Sequence, residues 1–503
     1  MAKENTKTKA KTPTFVAEFE LEASSKGFSQ LEKINNAYRQ IYNATLGELK
    51  RNLEKARNSD EWQKARLLAK GSIERQKAFS EIKKHYRLSE GFAQKIAAYH
   101  RQGHLEELTN SRVVQQIAKR AFRAIEKVMY GKSKRVRFRR PNEFVSFEGN
   151  DNVTGVVVQI STGTVRIGKL DFLYKINKEN PYHQHALKHR VKFVRIIKKV
   201  INGRARWYVQ MVLEGIPYQN PENTTQAGNI VGLDLGPRII AISTSTESFQ
   251  QEFCPELDKK VSKIRKLQRK LERSRRHNNP ANYDQKGRIK KGRKVWKNSN
   301  NYYKFRVELT NLHRKQAQHR KSLQGNLANR ILRLGNLIHT EKVSYKAWQK
   351  LYGKSISHQA PSAFESILTR KAESLGGGTT KINTYQTALS QHCICAEKEK
   401  KTLSQRTHIC KKCGFVAPRD VLSAYLALHT SLVNGEWKTD FKKAFSGIQG
   451  HRTLSLRQEL KPVPGAVYQA LVIKEKSAID GLTSLKRNSP SVGVLRTEDR
   501  KLP

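Results

Sequence analysis

The stretch 231–244 most constrains the fold, because it reads as two strands joined by a tight turn. Val231-Gly232-Leu233-Asp234-Leu235 is an apolar strand, and a second β-rich segment follows Gly236-Pro237. Asp234 is the single carboxylate in this apolar run. Such a carboxylate must be solvated at a turn, paired, or bound to a metal. A turn aspartate that caps backbone N–H groups is the simplest reading, whereas a metal site needs carboxylate partners elsewhere in the chain.

The charge of the chain indicates a polyanionic partner. The 503 residues contain 97 Lys and Arg against 43 Asp and Glu, a formal net charge of +54. Because the positive residues are spread over nearly the whole length, we expect nucleic acid rather than a small acidic metabolite or a membrane surface. No run of 18 apolar residues exists, so no membrane span is expected. The Lys/Thr-rich start lacks the apolar region of a signal peptide, and a cytoplasmic, prokaryotic location is predicted.

The N-terminal half is predicted as a strand, a helical region and a small antiparallel β-barrel. Apolar residues alternate near Phe15, and from about 29 to 130 the pattern turns helical. Two β-rich segments meet at Asn202-Gly203, a type I′ hairpin signal. Three arginines in this half, Arg120, Arg137 and Arg139, are candidates for nucleic-acid contact, although a solvated basic face fits the same pattern.

Two long helices joined by a basic loop are predicted over 257–333. The first has an apolar seam that includes Leu257 and Leu271, and its other faces are rich in arginine. A structural insertion is one reading of this hairpin, and nucleic-acid contact is the other. The candidate contacts are Arg265, Arg269, Arg273 and Arg320.

Two further carboxylates can serve as partners for Asp234. Glu341 ends a short strand after the second long helix, and Asp420 opens an apolar helix. Taken alone, Glu341 reads as an exposed strand-end residue paired with a lysine, and Asp420 reads as a helix N-cap. Together the three acids suit a pair of Mg²⁺ ions about 4 Å apart, the arrangement that cleaves phosphodiesters. A helix over 360–375 and a further strand over 381–387 are predicted between them.

Four of the five cysteines lie close together and indicate a zinc site. Cys393-Ile394-Cys395 and Cys410-Lys411-Lys412-Cys413 are separated by fourteen residues. Paired cysteines at the two ends of a short loop suit tetrahedral Zn²⁺ in a structural site. Because the first pair is tighter than usual, His392 or His408 could replace one thiolate. Cys254 reads as a buried thiol.

The order of these motifs resembles a family. A G-L-D-L-G strand, an arginine-rich hairpin, a strand ending in Glu, a cysteine knuckle and R-D before a last helix are similar to the RuvC-type core of the TnpB family of transposon-encoded proteins and the compact type V CRISPR effectors. The resemblance is strong over residues 223–432 and weaker before them. It implies a catalytic triad of Asp234, Glu341 and Asp420, zinc held by Cys393, Cys395, Cys410 and Cys413, a guide RNA, and double- and single-stranded target DNA.

Three positions depart from the family pattern. Lys342 follows the Glu where the family often has Asp, Pro418 precedes Arg419-Asp420 where it often has Asp, and Leu422-Ser423-Ala424 stands in place of Asn-Ala-Ala. The three acids themselves are intact, so an active enzyme is expected. Changes around metal ligands affect metal affinity and cleavage rate.

The expected fold class is multidomain, with an RNase H-like (RuvC) α/β domain, a zinc-ribbon insertion, a helical recognition lobe and a β-barrel wedge domain. The expected segments are a tail at 1–12, the first barrel strand at 13–27, the helical lobe at 28–133, the wedge and linker at 134–222, the RuvC-like domain at 223–388, the zinc insertion at 389–418, the final helix at 419–433 and a basic tail at 434–503.

The predicted function is RNA-guided, Mg²⁺-dependent cleavage of DNA next to a short flanking motif. A guided DNA-binding protein with weak or lost cleavage, acting in regulation or transposition, is the first alternative. A guide-free resolvase or RNA-binding protein is the second. The motifs leave open the origin and scaffold of the guide, the flanking sequence and the oligomeric state.

Overall fold

The computed structural model describes residues 12–402, 404–451 and 454. These residues divide into two compact units. The first comprises 12–229, 252–338 and 345–379, and the second comprises 230–251, 339–344 and 380 onward. Apart from residue 12, the predicted N-terminal tail lies outside the described residues, and so does most of the predicted tail at 434–503.

Seven strands and six helices make up the N-terminal part of the first unit. They are β1 (Thr14–Glu22), α1 (Ser25–Arg57), α2 (Asp60–Leu67), α3 (Ile73–His85), α4 (Glu90–Arg101), α5 (Ser111–Met129), β2 (Ser146–Glu148), β3 (Val156–Gln159), β4 (Thr164–Ile167), β5 (Leu170–Tyr174), α6 (Pro181–Leu187), β6 (Val191–Ile201) and β7 (Arg204–Glu214). The strands form one antiparallel sheet with the order β2-β6-β7-β1-β5-β4-β3. The N-terminal strand therefore lies inside this sheet, between β7 and β5.

The turn between β6 and β7 is the predicted hairpin turn. Ile201 pairs with Arg204 across it, and Asn202 and Gly203 have φ of 52° and 77°. Both positive φ values are what a type I′ turn requires, and Asn and Gly adopt them at the lowest cost. The hairpin prediction is confirmed.

One apolar core holds the sheet and the N-terminal helices together. Phe19 and Phe147 from the strands and Ile41, Leu46 and Ile117 from α1 and α5 are almost fully buried. Alternation along β1 and the 3.6-residue period along the helices place these side chains on the same side.

The rest of the chain alternates between the two units. Its elements are β8 (Ile230–Leu235), β9 (Ile239–Ser243), β10 (Ser248–Glu252), α7 (Val261–Asn278), α8 (Asn300–Leu334), β11 (Leu337–Glu341), α9 (Tyr345–Tyr352), α10 (Lys354–Gln359), α11 (Pro361–Ser374), β12 (Gly378–Ile382), α12 (Thr384–Thr387), β13 (Thr407–Ile409), β14 (Val416–Pro418), α13 (Arg419–Leu428), β15 (Thr430–Val433), β16 (Glu436–Thr439) and α14 (Phe441–Gly447). Helices α7 and α8 form the predicted pair.

The helical pair groups with the first unit, although chain order predicts it as part of the nuclease domain. On α8, Arg320 donates to the carbonyl of His358 at 2.9 Å, and Gln324 donates to that of Gln359 at 2.7 Å. These bonds tie α8 to the segment before α11, which belongs to the same unit.

A five-stranded sheet with the order β10-β9-β8-β11-β12 has most of its residues in the second unit. β8 and β9 are antiparallel. β11 and β12 run parallel, because Gly378 donates to Asn336 at their beginning and Lys342 donates to Ile382 at their end. Helix α13 lies against β8, where a Cβ on Gly232 would come within 2.0 Å of the Ala424 carbonyl oxygen. Glycine at 232 is therefore required for this approach.

Two predicted elements end earlier than expected. The strand predicted over 381–387 ends at Ile382, because the Asn383 side chain accepts a hydrogen bond from Tyr385 N and starts α12. The final helix predicted over 419–433 ends at Leu428, and β15 and β16 form a hairpin after it. Helix α14 follows and accepts a hydrogen bond at the Ala444 carbonyl from Tyr425 on α13. The first residues of the predicted basic tail are thus part of the second unit.

Candidate active site and metal centre

Asp234 lies within a strand and not at a turn. It is the fifth residue of β8 and stands opposite Ala241 of β9. The turn-cap reading of Asp234 therefore fails, because the residue takes part in the strand ladder. Its side chain emerges near the carboxyl end of β8.

Glu341 is the last residue of β11, at the same sheet edge. Its Oε1 is buried and has no hydrogen-bond partner among the described residues. The carboxylate accepts a hydrogen bond from the backbone of Leu389, which lowers its pKa in part. An exposed glutamate paired with a lysine would show neither feature, so that reading fails as well.

Asp420 is the second residue of α13, and its side chain does not cap the helix. Two arginines hold it instead. Arg419 lies 3.2 Å from Oδ1, and Arg406 Nη1 lies 3.4 Å from Oδ2. The Arg419 side chain is only 10% exposed, whereas that of Arg406 is 65% exposed. Arg406 can therefore leave Asp420 at lower cost than Arg419.

Burial and the charges of the two other acids act on Asp234. Burial raises the pKa of Asp234 well above its usual value, and the charges of Glu341 and Asp420 raise it further. The Ser423 hydroxyl and Arg419 oppose this rise. Burial also raises the pKa of Glu341 to about 6. The fold thus brings together three acids that lie 107 and 79 residues apart in sequence.

This group fits divalent cations. Like charges in a partly buried site are unfavourable unless a cation compensates them, and the free Glu341 Oε1 offers an oxygen ligand. Mg²⁺ prefers carboxylate oxygens and keeps several waters. In the described part of the chain, a second group of possible metal ligands is formed by the four cysteines, whose ligand atoms lie within 4.8 Å of one another.

The four cysteines form a closed cluster. Cys393 Sγ lies 3.6 Å from Cys413 Sγ, and Cys395 Sγ lies 3.6 Å from Cys410 Sγ. Four sulfurs at about 2.3 Å from a tetrahedral zinc ion are about 3.8 Å apart, so these spacings match a zinc site. They are far longer than a disulfide bond. The four thiols can hold one structural zinc ion, and the predicted ligand set is the one that converges.

Each cysteine pair lies in a turn that is closed by a backbone hydrogen bond. Cys410 N donates to Phe415 O at 2.9 Å, and Gly414 has φ of 72°. In the first pair, Cys393 N donates to Glu397 O at 2.8 Å, and Ala396 takes φ of 67° where the second pair has glycine. The C-x-C spacing therefore still forms a knuckle-like turn.

Two of the four thiols, Cys393 and Cys413, are not preset as thiolates. Burial raises the pKa of Cys393 and raises that of Cys413 to about 11. At Cys410 burial acts in the same direction, but backbone N–H groups of Cys413 and Lys412 outweigh it and lower the pKa. A metal that binds here must displace protons, as zinc does at cysteine sites.

Neither histidine replaces a thiolate. His392 Nδ1 contacts the Ala388 carbonyl at 3.2 Å, so its ring is used in the turn after α12. His408 is buried, and its ring nitrogens have no hydrogen-bond partner among the described residues. The converging group of possible metal ligands consists of the four cysteines and contains neither His392 nor His408.

The seven candidate arginines divide into two groups. Arg120 donates to Ser146 O at 2.6 Å, and Arg320 donates to His358 O at 2.9 Å, so internal bonds occupy both. The other five side chains are exposed: Arg137, Arg139, Arg265, Arg269 and Arg273. The last three lie four residues apart along one side of α7.

Sequence reasoning missed two parts of the site. Arg406 is fourteen residues before Asp420 and carries no motif. The bond between Leu389 and Glu341 depends on the turn after β12, which the sequence did not predict. A basic residue at the start of a strand that pairs back toward Asp420 is the signal that could have found Arg406.

The four cysteines and Asp420 lie within a segment that matches a family model. Residues 362–426 match the family model described as "Cas12f1-like, TNB domain". This segment is thus similar to the TNB domain of Cas12f1-like proteins, and the predicted resemblance to the TnpB family and the compact type V effectors is confirmed. No curated protein matches the sequence.

Three solved structures are similar to the chain at low identity. A Cas12f1–sgRNA–target DNA complex shares 13% identity, with 83% of this chain and 98% of that chain covered and a TM-score of 0.44. A CRISPR–Cas12f ternary complex shares 11%, covering 80% and 85%, with a TM-score of 0.29. The mini-RNA-guided endonuclease CRISPR-Cas_phi3 shares 10%, covering 83% and 92%, with a TM-score of 0.37. Similarities of this size support no residue role. No described helix is long and apolar enough to span a membrane.

Proposed function

We propose that the chain is an RNA-guided DNA endonuclease with a RuvC-type, RNase H-like active site. The observation that carries the proposal is the meeting of Asp234, Glu341 and Asp420 at one end of the sheet, with Asp420 inside the segment that matches the TNB model. A buried Asp234 whose pKa is raised by burial and by the charges of Glu341 and Asp420 is the expected state of a cation site without its cations. The guide RNA and the single- and double-stranded target DNA are the proposed partners.

The positions of the three acids allow them to bind cations together. Asp234 and Glu341 emerge from neighbouring strands, and Asp420 faces them from α13, so their oxygens can hold two Mg²⁺ ions. Bound Mg²⁺ would activate water and stabilise the leaving oxygen. Arg419 keeps Asp420 in place through bonds to Oδ1 and to the Thr402 carbonyl. The exposed Arg406 is available to a scissile phosphate once Asp420 binds a cation.

The zinc cluster has a structural part in this proposal. It closes the segment between β12 and α13, and α13 carries Asp420. Zinc bound by Cys393, Cys395, Cys410 and Cys413 would thereby fix the start of α13. The five exposed arginines are the proposed nucleic-acid contacts, because each neutralised phosphate adds to affinity.

The test begins with the RNA that co-purifies with the full chain. Its sequence defines a candidate guide, and a target library with randomised flanks then supplies any flanking motif. In Mg²⁺ the wild-type complex should cut the target. Asp234→Asn, Glu341→Gln and Asp420→Asn should lose cutting while they retain target binding, and Glu436→Gln, an exposed acid of the same unit, should cut normally.

Each alternative predicts a different result. Tight guided binding with no cutting in Mg²⁺ would replace the enzyme by a guided DNA-binding protein. A heterogeneous RNA population with no defined species would indicate a guide-free resolvase or RNA-binding protein. An acid variant that cuts at the wild-type rate would remove that residue from the active site.

A further inference from the structure

Tyr385 is a fully exposed aromatic residue at the edge of the acid site. Its exposure is 100%, and the next most exposed large apolar residue in the described part of the chain is Leu67 at 87%. An exposed tyrosine ring gains no packing energy from the protein itself. The location of Tyr385, more than its exposure, indicates a role.

The segment that carries Tyr385 is bound to β11 at its carboxyl end. Lys342 N donates to Ile382 O at 2.8 Å, and Thr384 Oγ1 donates to Lys342 O at 3.1 Å. Four residues after Tyr385, the backbone of Leu389 bonds to the Glu341 carboxylate. Tyr385 therefore lies on the short segment 382–389, which is bonded to Lys342 at one end and to Glu341 at the other.

This stretch holds a defined conformation. The Asn383 side chain accepts a hydrogen bond from Tyr385 N at 3.1 Å, and Ala388 N donates to Thr384 O at 3.0 Å. Thr387 and Leu389 are buried, so their side chains fix the turn to the protein interior. A ring on an anchored turn offers a flat surface that loses little conformational entropy when it binds.

We propose that Tyr385 is a stacking platform for an unpaired base of the strand that enters the acid site, with Lys342 beside its phosphate. The inference rests on the proposed function and names the substrate at the site as a locally single-stranded nucleic acid. Base–aromatic stacking tolerates any base, so it suits a site whose sequence is read elsewhere. Lys342 is exposed and directly follows Glu341, where its charge favours a phosphate.

The kinetic test compares Tyr385 variants on the target found for the wild-type complex. Tyr385→Ala should slow single-turnover cutting about tenfold or more, and Tyr385→Phe should cut nearly as fast as wild type. Tyr99→Ala, which removes a 69% exposed tyrosine from α4, is the matched control and should have no effect. A target with abasic positions scanned through the cut region should contain one position that slows wild type by the same factor. At that position Tyr385→Ala should add nothing further.

A photocrosslink tests the same interaction without any cutting. The full chain with its co-purified RNA is irradiated with a short oligothymidylate that contains one 5-iododeoxyuridine, in Ca²⁺. The crosslinked peptide should contain Tyr385, and Tyr385→Ala should lose the adduct while Tyr99→Ala keeps it. If wild type cuts but Tyr385→Ala cuts equally and keeps the adduct, the stacking inference is overturned alone. If no target is cut but Tyr385 crosslinks, the proposed cleavage fails and the strand interaction stands.

Discussion

At the scale of single residues, the protonation of Glu341 contributes to the dependence of stability on pH. Its pKa of about 6 in the folded chain exceeds the unfolded value, so the folded state binds more protons. The stabilisation from protonated Glu341 is fully present below the unfolded pKa and is lost as pH rises through about 6. In Mg²⁺-free buffer with zinc retained, the Tm of wild type should fall relative to Glu341→Gln over this window.

The burial of the Glu341 carboxylate also predicts the result of a control variant and the effect of adding Mg²⁺. Glu436→Gln should show the wild-type pH dependence, because that acid is exposed. Mg²⁺ at neutral pH should raise the Tm of wild type and should raise it less in Glu341→Gln. Equal pH dependence in wild type and Glu341→Gln would contradict the burial of this carboxylate as the cause.

Gly232 sets the distance between the strand of Asp234 and the helix of Asp420. A Cβ at this position would lie 2.0 Å from the Ala424 carbonyl oxygen, which is backbone and cannot swing away. Gly232→Ala should therefore lower the free energy of unfolding by about 1–3 kcal/mol and reduce cutting. Gly325→Ala on α8, where nothing lies within 4 Å, should leave cutting unchanged. Denaturant unfolding and single-turnover cleavage measure the two effects.

How much of the site the sequence predicts differs from residue to residue. Asp234, Glu341 and Asp420 could be predicted as a set because each lies at or next to the end of an apolar element, a pattern visible in the sequence. Arg406 and Tyr385 were missed because their positions depend on turns. Arg120 and Arg320 have the same sequence signal as exposed arginines, and only tertiary contacts show that they are occupied.

At the scale of elements, the cysteine knuckles should control the start of α13. Zinc removal by a strong chelator should loosen β13 and β14 and increase hydrogen exchange in the first turn of α13. Cys413→Ser should lower the zinc content below one ion per chain and should slow cutting more than guided binding. Cys254→Ala is the matched control, because Cys254 lies outside the cluster. Metal analysis and hydrogen exchange provide the two readouts, and unchanged exchange at α13 without zinc would argue against a supporting role.

Element types are predictable where periodicity and turn chemistry agree. The β6–β7 hairpin and the paired helices α7 and α8 follow from Asn-Gly and from apolar seams. The strand predicted over 381–387 is wrong after Ile382, because a single Asn383 side chain caps a one-turn helix. That local bond outweighs the β-propensity of the neighbouring residues, and it is also what places Tyr385 at the site.

At the scale of the whole molecule, the net charge of +54 makes salt the strongest external control on binding. Arginines tied to internal acceptors contribute less to phosphate binding than exposed ones of equal charge. Helices α7 and α8 interrupt the chain of the second unit but group with the first. Chain order alone predicts them as part of the nuclease domain.

The exposed arginines of α7 provide a direct test of whether this helix binds nucleic-acid phosphates. Replacement of Arg265, Arg269 and Arg273 by Gln should weaken binding of duplex DNA and reduce the slope of log affinity against log salt by about 0.9 for each phosphate that the variant no longer neutralises. The free energy of unfolding should change little, because these side chains are exposed. Arg120→Gln is the matched control with the opposite expectation: it removes the 2.6 Å bond to Ser146 O and should lower stability with a smaller change in slope. A salt slope that stays at the wild-type value in the triple variant would show that α7 faces no phosphate.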